Sequence, residues 1–309
     1  MKKFFSFILL LACGLQFAHA DRATDIRTQL LSKERNYVFV AAHRGDWRNA
    51  PENSLQAIDF AIKKGVDIIE IDAKITSDGQ IIVMHDKTVD RTTNGKGKVE
   101  DLTLEQIKKL KLRAGTGVVT IHEVPTLEEA MLMAKGRALV NIDQGEKYLN
   151  EIYPILVKTG TVDQVVLKGN STYEKLFEKF GDLINKFIYM PIVVLDKPDA
   201  QEKIEVFISE LKPCAIEYCF KKDDYPLIDE LVKYDKKYGA RIWINSLWPS
   251  LAGGAHDDEA ALSNPDAAYG WMLKKGATMI QTDRIDNLID YLTKSGRRVT
   301  SVPVPNKKK

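Results

Sequence analysis

Eight apolar runs with the length of β-strands recur along the chain, and helical patterns lie between them. The strand-like runs are residues 37–42, 67–72, 138–143, 164–168, 187–194, 214–220, 240–245 and 278–282. The helical patterns are residues 54–64, 104–110, 126–135, 148–158, 172–180, 199–211, 226–238 and 267–275. Strands that alternate with helices form parallel sheets. Eight such units predict an α/β fold, a single closed (β/α)8 TIM barrel.

One further strand-like run, residues 81–85, follows the second strand too closely for a parallel connection. The turn sequence Ser77-Asp78-Gly79 separates the two runs. We therefore predict that residues 73–85 form a small hairpin arm after strand 2. In the register we predict, Ile75 faces Ile82 and Asp72 faces His85, which would bring this histidine over the mouth of the barrel.

The first 20 residues have the pattern of a secretory signal peptide. Lys2 and Lys3 precede a short apolar stretch, and Ala18-His19-Ala20 is a cleavage motif. The apolar stretch is shorter than the ~20 residues that cross a bilayer, so no transmembrane segment is predicted. We expect export to the periplasm or the medium, with residues 21–309 forming the barrel domain. Lipid attachment at Cys13 is the alternative route.

The charge balance argues against a strongly charged macromolecular partner. Of the 45 basic side chains, Lys2 and Lys3 fall in the signal, which leaves 43 against 43 acidic side chains. A chain without net charge is not typical of proteins that bind nucleic acid. Cys214 and Cys219 lie five apart on one predicted strand, so their side chains face opposite ways and no disulfide is expected. The sequence does not indicate an oligomeric state.

Acidic residues end two of the predicted strands. Glu70 and Asp72 are two apart, so both point to one face of a strand that is buried on both sides. Neighbouring carboxylates repel each other, and a divalent cation removes that cost. Asp143 ends the next barrel strand and is a third ligand candidate. Oxygen donors favour one Ca²⁺ or Mg²⁺ ion.

Two histidines at the same rim suit proton transfer. His43 and His85 both end apolar runs, and imidazole titrates near neutral pH. Arg44 offers a fixed positive charge that matches phosphate oxygens, and Glu52 could hold its guanidinium. Phosphodiester hydrolysis needs such an acid and base, although the sequence does not assign the two roles.

Several polar residues nearby have two interpretations. Either Ser54 or Asn53 could cap the helix that starts here, and Asp86 could orient His85 or cap a loop. Asp283, in Thr282-Asp283-Arg284, could belong to a capping turn. Trp243 could contact the substrate or pack in the core. The polar loop 246–266 could be a lid or a variable surface loop.

These motifs together resemble the glycerophosphodiester phosphodiesterase family. They are, in order, HRG at 43–45, PENS at 51–54, EID at 70–72, SDG at 77–79, HD at 85–86, RTTNGKG at 91–97, VPTLEEA at 124–130, NID at 141–143 and QTDR at 281–284. Motifs in this number and order are specific, unlike any one of them alone.

The resemblance implies a metal-dependent hydrolase that cleaves glycerophosphodiesters to glycerol 3-phosphate and an alcohol. The family's catalytic histidines fall on His43 and His85, its metal acids on Glu70, Asp72 and Asp143, and its phosphate-side arginine and glutamate on Arg44 and Glu52. The third acid is usually Glu, and a lysine usually stands where this chain has Gly145. Lys168, at the end of an apolar strand, is our predicted substitute, because a lone lysine there needs an anionic partner.

Two other functions are compatible with the sequence. One is a barrel phospholipase that acts on intact phospholipids, which would need an exposed apolar rim at the barrel mouth. The other is a non-hydrolytic extracytoplasmic protein that binds glycerophosphodiesters. Alanine variants of the two histidines would separate an enzyme from a binding protein.

Overall fold

The structure is a computed structural model, and it describes residues 21–143 and 145–298. The predicted export signal, with Cys13, lies outside the described residues. In the described part of the chain, no helix combines the length and the apolar character needed to cross a membrane.

Eight parallel strands close into a barrel, which confirms the predicted fold class. They run in the order β1, β2, β4, β5, β6, β7, β8 and β9, and β9 pairs with β1 to close the wall. Their bounds are β1 Phe39–Ala42, β2 Ile68–Ile75, β4 Leu139–Asp143, β5 Val165–Gly169, β6 Ile188–Val194, β7 Ala215–Cys219, β8 Arg241–Asn245 and β9 Met279–Thr282, with β3 Ile81–Val83 outside the wall.

Helices surround the strands and cover their outer faces. The helices are α1 Arg22–Leu31, α2 Leu55–Lys63, α3 Leu104–Lys108, α4 Leu127–Ala134, α5 Leu149–Thr159, α6 Tyr173–Phe180, α7 Ala200–Glu210, α8 Pro226–Tyr238, α9 Asp257–Leu262, α10 Trp271–Lys274 and α11 Ile285–Lys294. The helical patterns in the sequence did not predict α1, α9 or α11. A single π-helical turn, Asp266–Gly270, precedes α10 and accounts for the rest of the predicted helix 267–275.

Side chains alternate between the interior of the barrel and the layer beneath the helices. On β2, Ile68 belongs to the interior cluster, whereas Ile69 and Ile71 pack in the outer layer. Glu70 and Asp72 share the parity of Ile68 and therefore point into the barrel. Helix α1 contributes Ile26 and Leu30 to the same interior cluster, so it closes the end of the barrel opposite the strand C-termini.

The arm after strand 2 is larger than the predicted hairpin, and its register differs by one residue. Ile75 pairs with Ile81, and the Met84 amide donates to the Asp72 carbonyl at 3.0 Å. Met84, not His85, therefore lies opposite Asp72, because the turn runs from Thr76 to Gln80 and contains an odd number of residues. The arm continues to Pro125 around its own small core, which includes the α3 residue Ile107. Helix α3 thus belongs to the arm and not to the barrel.

Candidate active site

Three carboxylates meet at the C-terminal end of the barrel. Glu70 and Asp72 come from β2, and the register between β2 and β4 puts Asp143 directly beside Asp72. One oxygen from each of the three residues lies within 4.8 Å of the others. Glu70 and Asp72 are buried, and Asp143 is partly exposed. Three converging oxygen ligands fit one hard divalent cation.

The electrostatics of the triad also fit a cation. Burial raises the pKa of Glu70 well above its ordinary value, and the neighbouring Asp72 raises it further. Lys168 lies 3.7 Å from the Asp143 carboxylate, and the Arg44 Nε lies 3.6 Å from Asp72. The Arg44 Nε is buried without a hydrogen-bond partner among the described residues. The triad therefore retains negative charge that a divalent ion would offset.

Lys168 lies inside the barrel in an ion pair with Glu217. The lysine ammonium donates to Glu217 at 2.9 Å and to the Gln281 side-chain carbonyl at 3.3 Å. Burial alone would lower the pKa of Lys168, but Glu217 and Asp143 offset burial and raise it. Glu217 was missed from the sequence. A lone acid within the apolar strand β7 was the available signal, since such a residue needs a partner.

Trp243 is fully buried beneath this ion pair. Its indole N–H donates to Asn245 at 2.8 Å, and Asn245 in turn donates to Glu217 at 2.8 Å. The Lys168 ammonium lies 5.3 Å from the centre of the Trp243 ring. In this position Trp243 supports the Lys168–Glu217 pair from below and belongs to the interior core cluster.

Two residues with left-handed backbone hold Glu70 and Asp72 in position. Arg44 has φ 53° and Asn53 has φ 60°, an uncommon conformation for residues other than glycine. The Arg44 amide donates to Glu70 at 2.8 Å. The Asn53 side chain donates to the Asp72 carboxylate at 2.9 Å and accepts from the Asp72 amide at 3.2 Å. Ser54 alone caps α2, so the capping interpretation of Asn53 was wrong.

Gly45 allows this loop to pack against α2. It has φ 73°, and a Cβ at this position would lie 2.8 Å from the Ala57 backbone carbon. Any larger residue would push the loop away from the helix and shift His43 and Arg44 with it. The glycine of the HRG motif is therefore required by close packing as well as by its backbone conformation.

An aspartate orients His43. The Nδ1 of His43 lies 2.7 Å from Asp283 Oδ1, and Trp47 Nε1 donates to the same oxygen at 2.5 Å. A carboxylate only accepts hydrogen bonds, so Nδ1 carries the proton and Nε2 is left as the acceptor nitrogen of the ring. The sequence alone suggests only a capping turn for Asp283, because nothing local in it links Asp283 to His43.

Asp257 fixes the position of Asp283. This buried carboxylate accepts from the Asp283 amide at 2.7 Å and from the hydroxyls of Ser246, Tyr269 and Thr282. Burial raises the pKa of Asp257, although its four hydrogen-bond donors oppose that rise. One part of the loop 246–266 is therefore anchored to the end of β9 and supports the orientation of His43.

His85 has an aspartate partner of its own and is linked by ion pairs to Arg44. Its Nδ1 lies 2.7 Å from Asp86, which accepts two hydrogen bonds from Arg91. Arg91 also donates to both oxygens of Glu52, at 2.7 and 2.8 Å, and Arg44 donates to Glu52 at 3.0 Å. A continuous chain of ion pairs thus runs from His85 to Arg44. Arg91 was not singled out from the sequence.

A side chain at position 145 would press against its packed neighbours in this fold. A Cβ at Gly145 would lie 2.8 Å from a Leu167 methyl and 2.9 Å from an Ile142 methyl. Position 145 thus faces packed side chains and not the carboxylates. Lys168, from the neighbouring strand β5, lies 3.7 Å from the Asp143 carboxylate.

A cavity of about 410 Å³ opens beside His43 and Arg44, a volume typical of sites for small ligands. We call it the catalytic cavity. His43, Arg44, Glu52 and Arg91 line one side, and the arm contributes Arg113 and Gly117. Trp248, half-exposed, packs edge-on against the His43 ring at 6.1 Å between centroids. Basic and aromatic groups around a cavity of this size suit a small anionic ligand.

Comparison with known proteins identifies the family. The profile of the Glycerophosphoryl diester phosphodiesterase family matches residues 43–188, and a domain of unknown function matches residues 189–292. A glycerophosphodiester phosphodiesterase of Caldanaerobacter subterraneus subsp. tengcongensis is 33% identical over 271 residues, which cover 84% of this chain and 99% of that protein. The chain belongs to the glycerophosphodiester phosphodiesterase family and is an enzyme of that class.

One further relative and two solved structures are also similar to this chain. The human glycerophosphodiester phosphodiesterase 1 is 46% identical over 128 residues, which cover 40% of this chain and 37% of the human protein. Among solved structures, a glycerophosphoryl diester phosphodiesterase from Parabacteroides distasonis has a TM-score of 0.70 at 22% identity, covering 90% of this chain and 95% of that one. The Oleispira antarctica phosphodiesterase, solved with the product sn-glycerol-3-phosphate, has a TM-score of 0.61 at 20% identity, over 82% of this chain and 96% of that chain. These structures share the fold.

Proposed function

We propose that this protein hydrolyses glycerophosphodiesters to glycerol 3-phosphate and an alcohol, with one divalent cation and with His43 and His85 as the acid–base pair. The observation that carries the proposal is the pair of aspartate-oriented histidines at the rim that also holds the acidic triad. The relatives named for this activity support the substrate class.

Each residue of the site would have a defined task. Glu70, Asp72 and Asp143 would hold Ca²⁺ or Mg²⁺, and the ion, when bound, would offset negative charge on the phosphoryl oxygens. Arg44, held by Glu52, would bind a phosphate oxygen. Lys168 lies beside Asp143 and would add a second positive charge on that side.

Proton transfer would use the Nε2 atoms of the two histidines. One histidine accepts a proton from the attacking oxygen, and the other donates a proton to the leaving alcohol. Asp283 and Asp86 keep each Nδ1 protonated, so each ring stays in the tautomer with a basic Nε2. The attacking oxygen belongs either to water or to a substrate hydroxyl that first forms a cyclic phosphate, and the residues are compatible with both routes.

The test is release of glycerol 3-phosphate from a panel of glycerophosphodiesters, with Ca²⁺, Mg²⁺ or a chelator. We expect metal-dependent turnover, and a loss of about 10²- to 10⁴-fold in kcat for His43→Ala and for His85→Ala. A protein that only binds its ligand would show no turnover and unchanged affinity in both variants. Folded, metal-loaded protein that is inactive on the whole panel would refute the proposal.

We also propose that the protein is exported and acts outside the cytoplasm. The basic start, the apolar stretch and the Ala18-His19-Ala20 motif support this. N-terminal sequencing of protein recovered outside the cytoplasm should begin at Asp21, whereas a lipid-modified Cys13 would identify the alternative route.

A further inference from the structure

One of the arginines at the catalytic cavity has no acidic partner. Arg44, Arg91 and Arg113 line this cavity. Arg44 and Arg91 both pair with Glu52, and Arg91 also pairs with Asp86. In the described part of the chain, no carboxylate pairs with Arg113, which the arm supplies. The positive charge of Arg113 is therefore available to a ligand in the cavity.

Backbone carbonyls of the arm hold Arg113 in a fixed orientation. Arg113 belongs to a second hairpin of the arm, residues 112–122, and pairs with Val119 across it. Its Nε donates to the Thr93 carbonyl at 2.8 Å, and its Nη1 donates to the Gly117 carbonyl at 2.9 Å. These bonds leave the Nη2 group for a ligand. A guanidinium held in this way suits a carboxylate or phosphate, whose oxygens accept its N–H groups in a fixed geometry.

A buried hydroxyl lies beside Arg113. Thr92 lines the same cavity, and its carbonyl accepts from the Arg113 amide at 2.7 Å. Because Thr93 pairs with Leu112, Thr92 lies opposite Arg113, and opposite residues of an antiparallel pair face the same side. Thr92 is 5% exposed, and its hydroxyl has no hydrogen-bond partner in the described chain. A buried hydroxyl without a partner is costly, and an acceptor oxygen in the cavity would remove that cost.

The charge of Arg113 indicates which part of the substrate it would meet. In the proposed function, Arg44 and the cation held by the acidic triad bind the phosphodiester itself. The glycerol part of the substrate has hydroxyl groups and no charge. An anionic group that pairs with Arg113 therefore belongs to the alcohol part.

We propose that Arg113 and Thr92 bind an anionic group, a carboxylate or a phosphate, on the alcohol part of the glycerophosphodiester. The enzyme would then prefer diesters whose alcohol carries a second negative charge. This inference rests on the proposed function and narrows its substrate class. The hydrolysis is the same: the oxygen of water bonds to phosphorus, the bond from phosphorus to the alcohol oxygen breaks, and the alcohol leaves with one proton.

The experiment compares pairs of diesters that differ only in the anionic group. Glycerophosphoserine and glycerophosphoethanolamine differ by one carboxylate, and glycerophosphoglycerol is compared with its terminal phosphate monoester. The readout is the ratio of kcat/KM within each pair, because a loss of folded protein lowers both values equally.

Three variants are measured beside the wild type. Arg113→Gln removes the charge and keeps a donor for the backbone carbonyls, and Thr92→Val removes the hydroxyl at nearly constant shape. Lys111→Gln is the control for the change in net charge, since Lys111 precedes the hairpin and pairs with Glu123 at 2.8 Å.

We expect wild-type protein to favour the anionic member of at least one pair by ~10-fold or more, the gain from charge-assisted hydrogen bonds. The pair with the larger ratio identifies the anion. Arg113→Gln should abolish the preference, Thr92→Val should reduce it by about 3-fold, and Lys111→Gln should keep it.

The inference and the proposed function fail in different ways. Turnover of all four diesters without a preference in either pair, or an unchanged preference in Arg113→Gln, would overturn the inference alone. An arginine that binds the phosphodiester itself, or that only holds the hairpin, would give the second result, because both members of a pair would lose equally. An unchanged preference in Thr92→Val would overturn the part given to Thr92. Calorimetric binding that prefers the anionic diesters and depends on Arg113, without turnover of any, would support the inferred subsite and refute the proposed function.

Discussion

Replacing Lys168 by methionine should expose how much of the fold's stability depends on the buried ion pair. The change leaves Glu217 buried without its closest cation, because the ammonium lies 2.9 Å from Glu217 and both side chains are buried. Removal of one partner of a buried pair costs about 3–5 kcal/mol in the free energy of unfolding. This is a large share of the ~5–15 kcal/mol that stabilises a typical domain.

A double-mutant cycle separates the interaction between Lys168 and Glu217 from the other effects of each substitution on stability. Glu217→Gln keeps the acceptor for Asn245 and removes the charge. The double variant Lys168→Met/Glu217→Gln should therefore recover at least about 2 kcal/mol of the loss caused by Lys168→Met alone. The assay is urea unfolding followed by circular dichroism, in chelator, so that metal binding does not contribute. Losses that add to within about 0.5 kcal/mol would refute the coupling.

Three further predictions follow from contacts around the site. Asp283→Asn should lower kcat by about 10²- to 10⁴-fold with little change in folding, because the His43 ring loses the carboxylate that sets its tautomer; kinetics that match wild type would contradict this. Asn53→Ala should weaken divalent-metal affinity by about 10- to 100-fold, since Asp72 loses a side-chain donor; calorimetric titration tests it, and an unchanged affinity would contradict it. Arg91→Met should destabilise the protein more at pH 7 than at pH 3. Arg91 lowers the pKa of Asp86. The stabilisation that this ion pair gives the folded protein is therefore present above the ordinary pKa of a carboxyl group, and it is lost as the pH falls towards the lowered pKa of Asp86. An equal loss of stability at both pH values would count against the ion pair.

The sequence predicted the barrel and much of its acidic centre because both follow from short-range patterns. The period of two along β2 already directs Glu70 and Asp72 to one face. The positions of strand ends then bring Asp143 beside them, since parallel strands finish at the same edge. The free state of Cys214 and Cys219 was likewise predicted from their spacing and is confirmed.

The residues that orient His43 and pair with Lys168 could not be predicted in the same way. Asp283 is 240 residues from His43, and Lys168 is 49 residues from Glu217, so only closure of the barrel pairs them. The one-residue error in the arm register has a local cause, because the sequence does not reveal that the turn from Thr76 to Gln80 has an odd length. A helix such as α1, which plugs the barrel bottom, gives no signal that distinguishes it from a surface helix.

Metal-dependent hydrolysis is tested most directly by titrating metal-free protein with Ca²⁺ or Mg²⁺ while turnover of glycerophosphocholine and heat of binding are recorded together. We expect activity to appear in proportion to one bound ion per chain. We also expect Glu70→Gln and Asp72→Asn to lose both the bound ion and the activity. Full activity in the presence of chelator, or one-ion binding that survives in both variants, would contradict it.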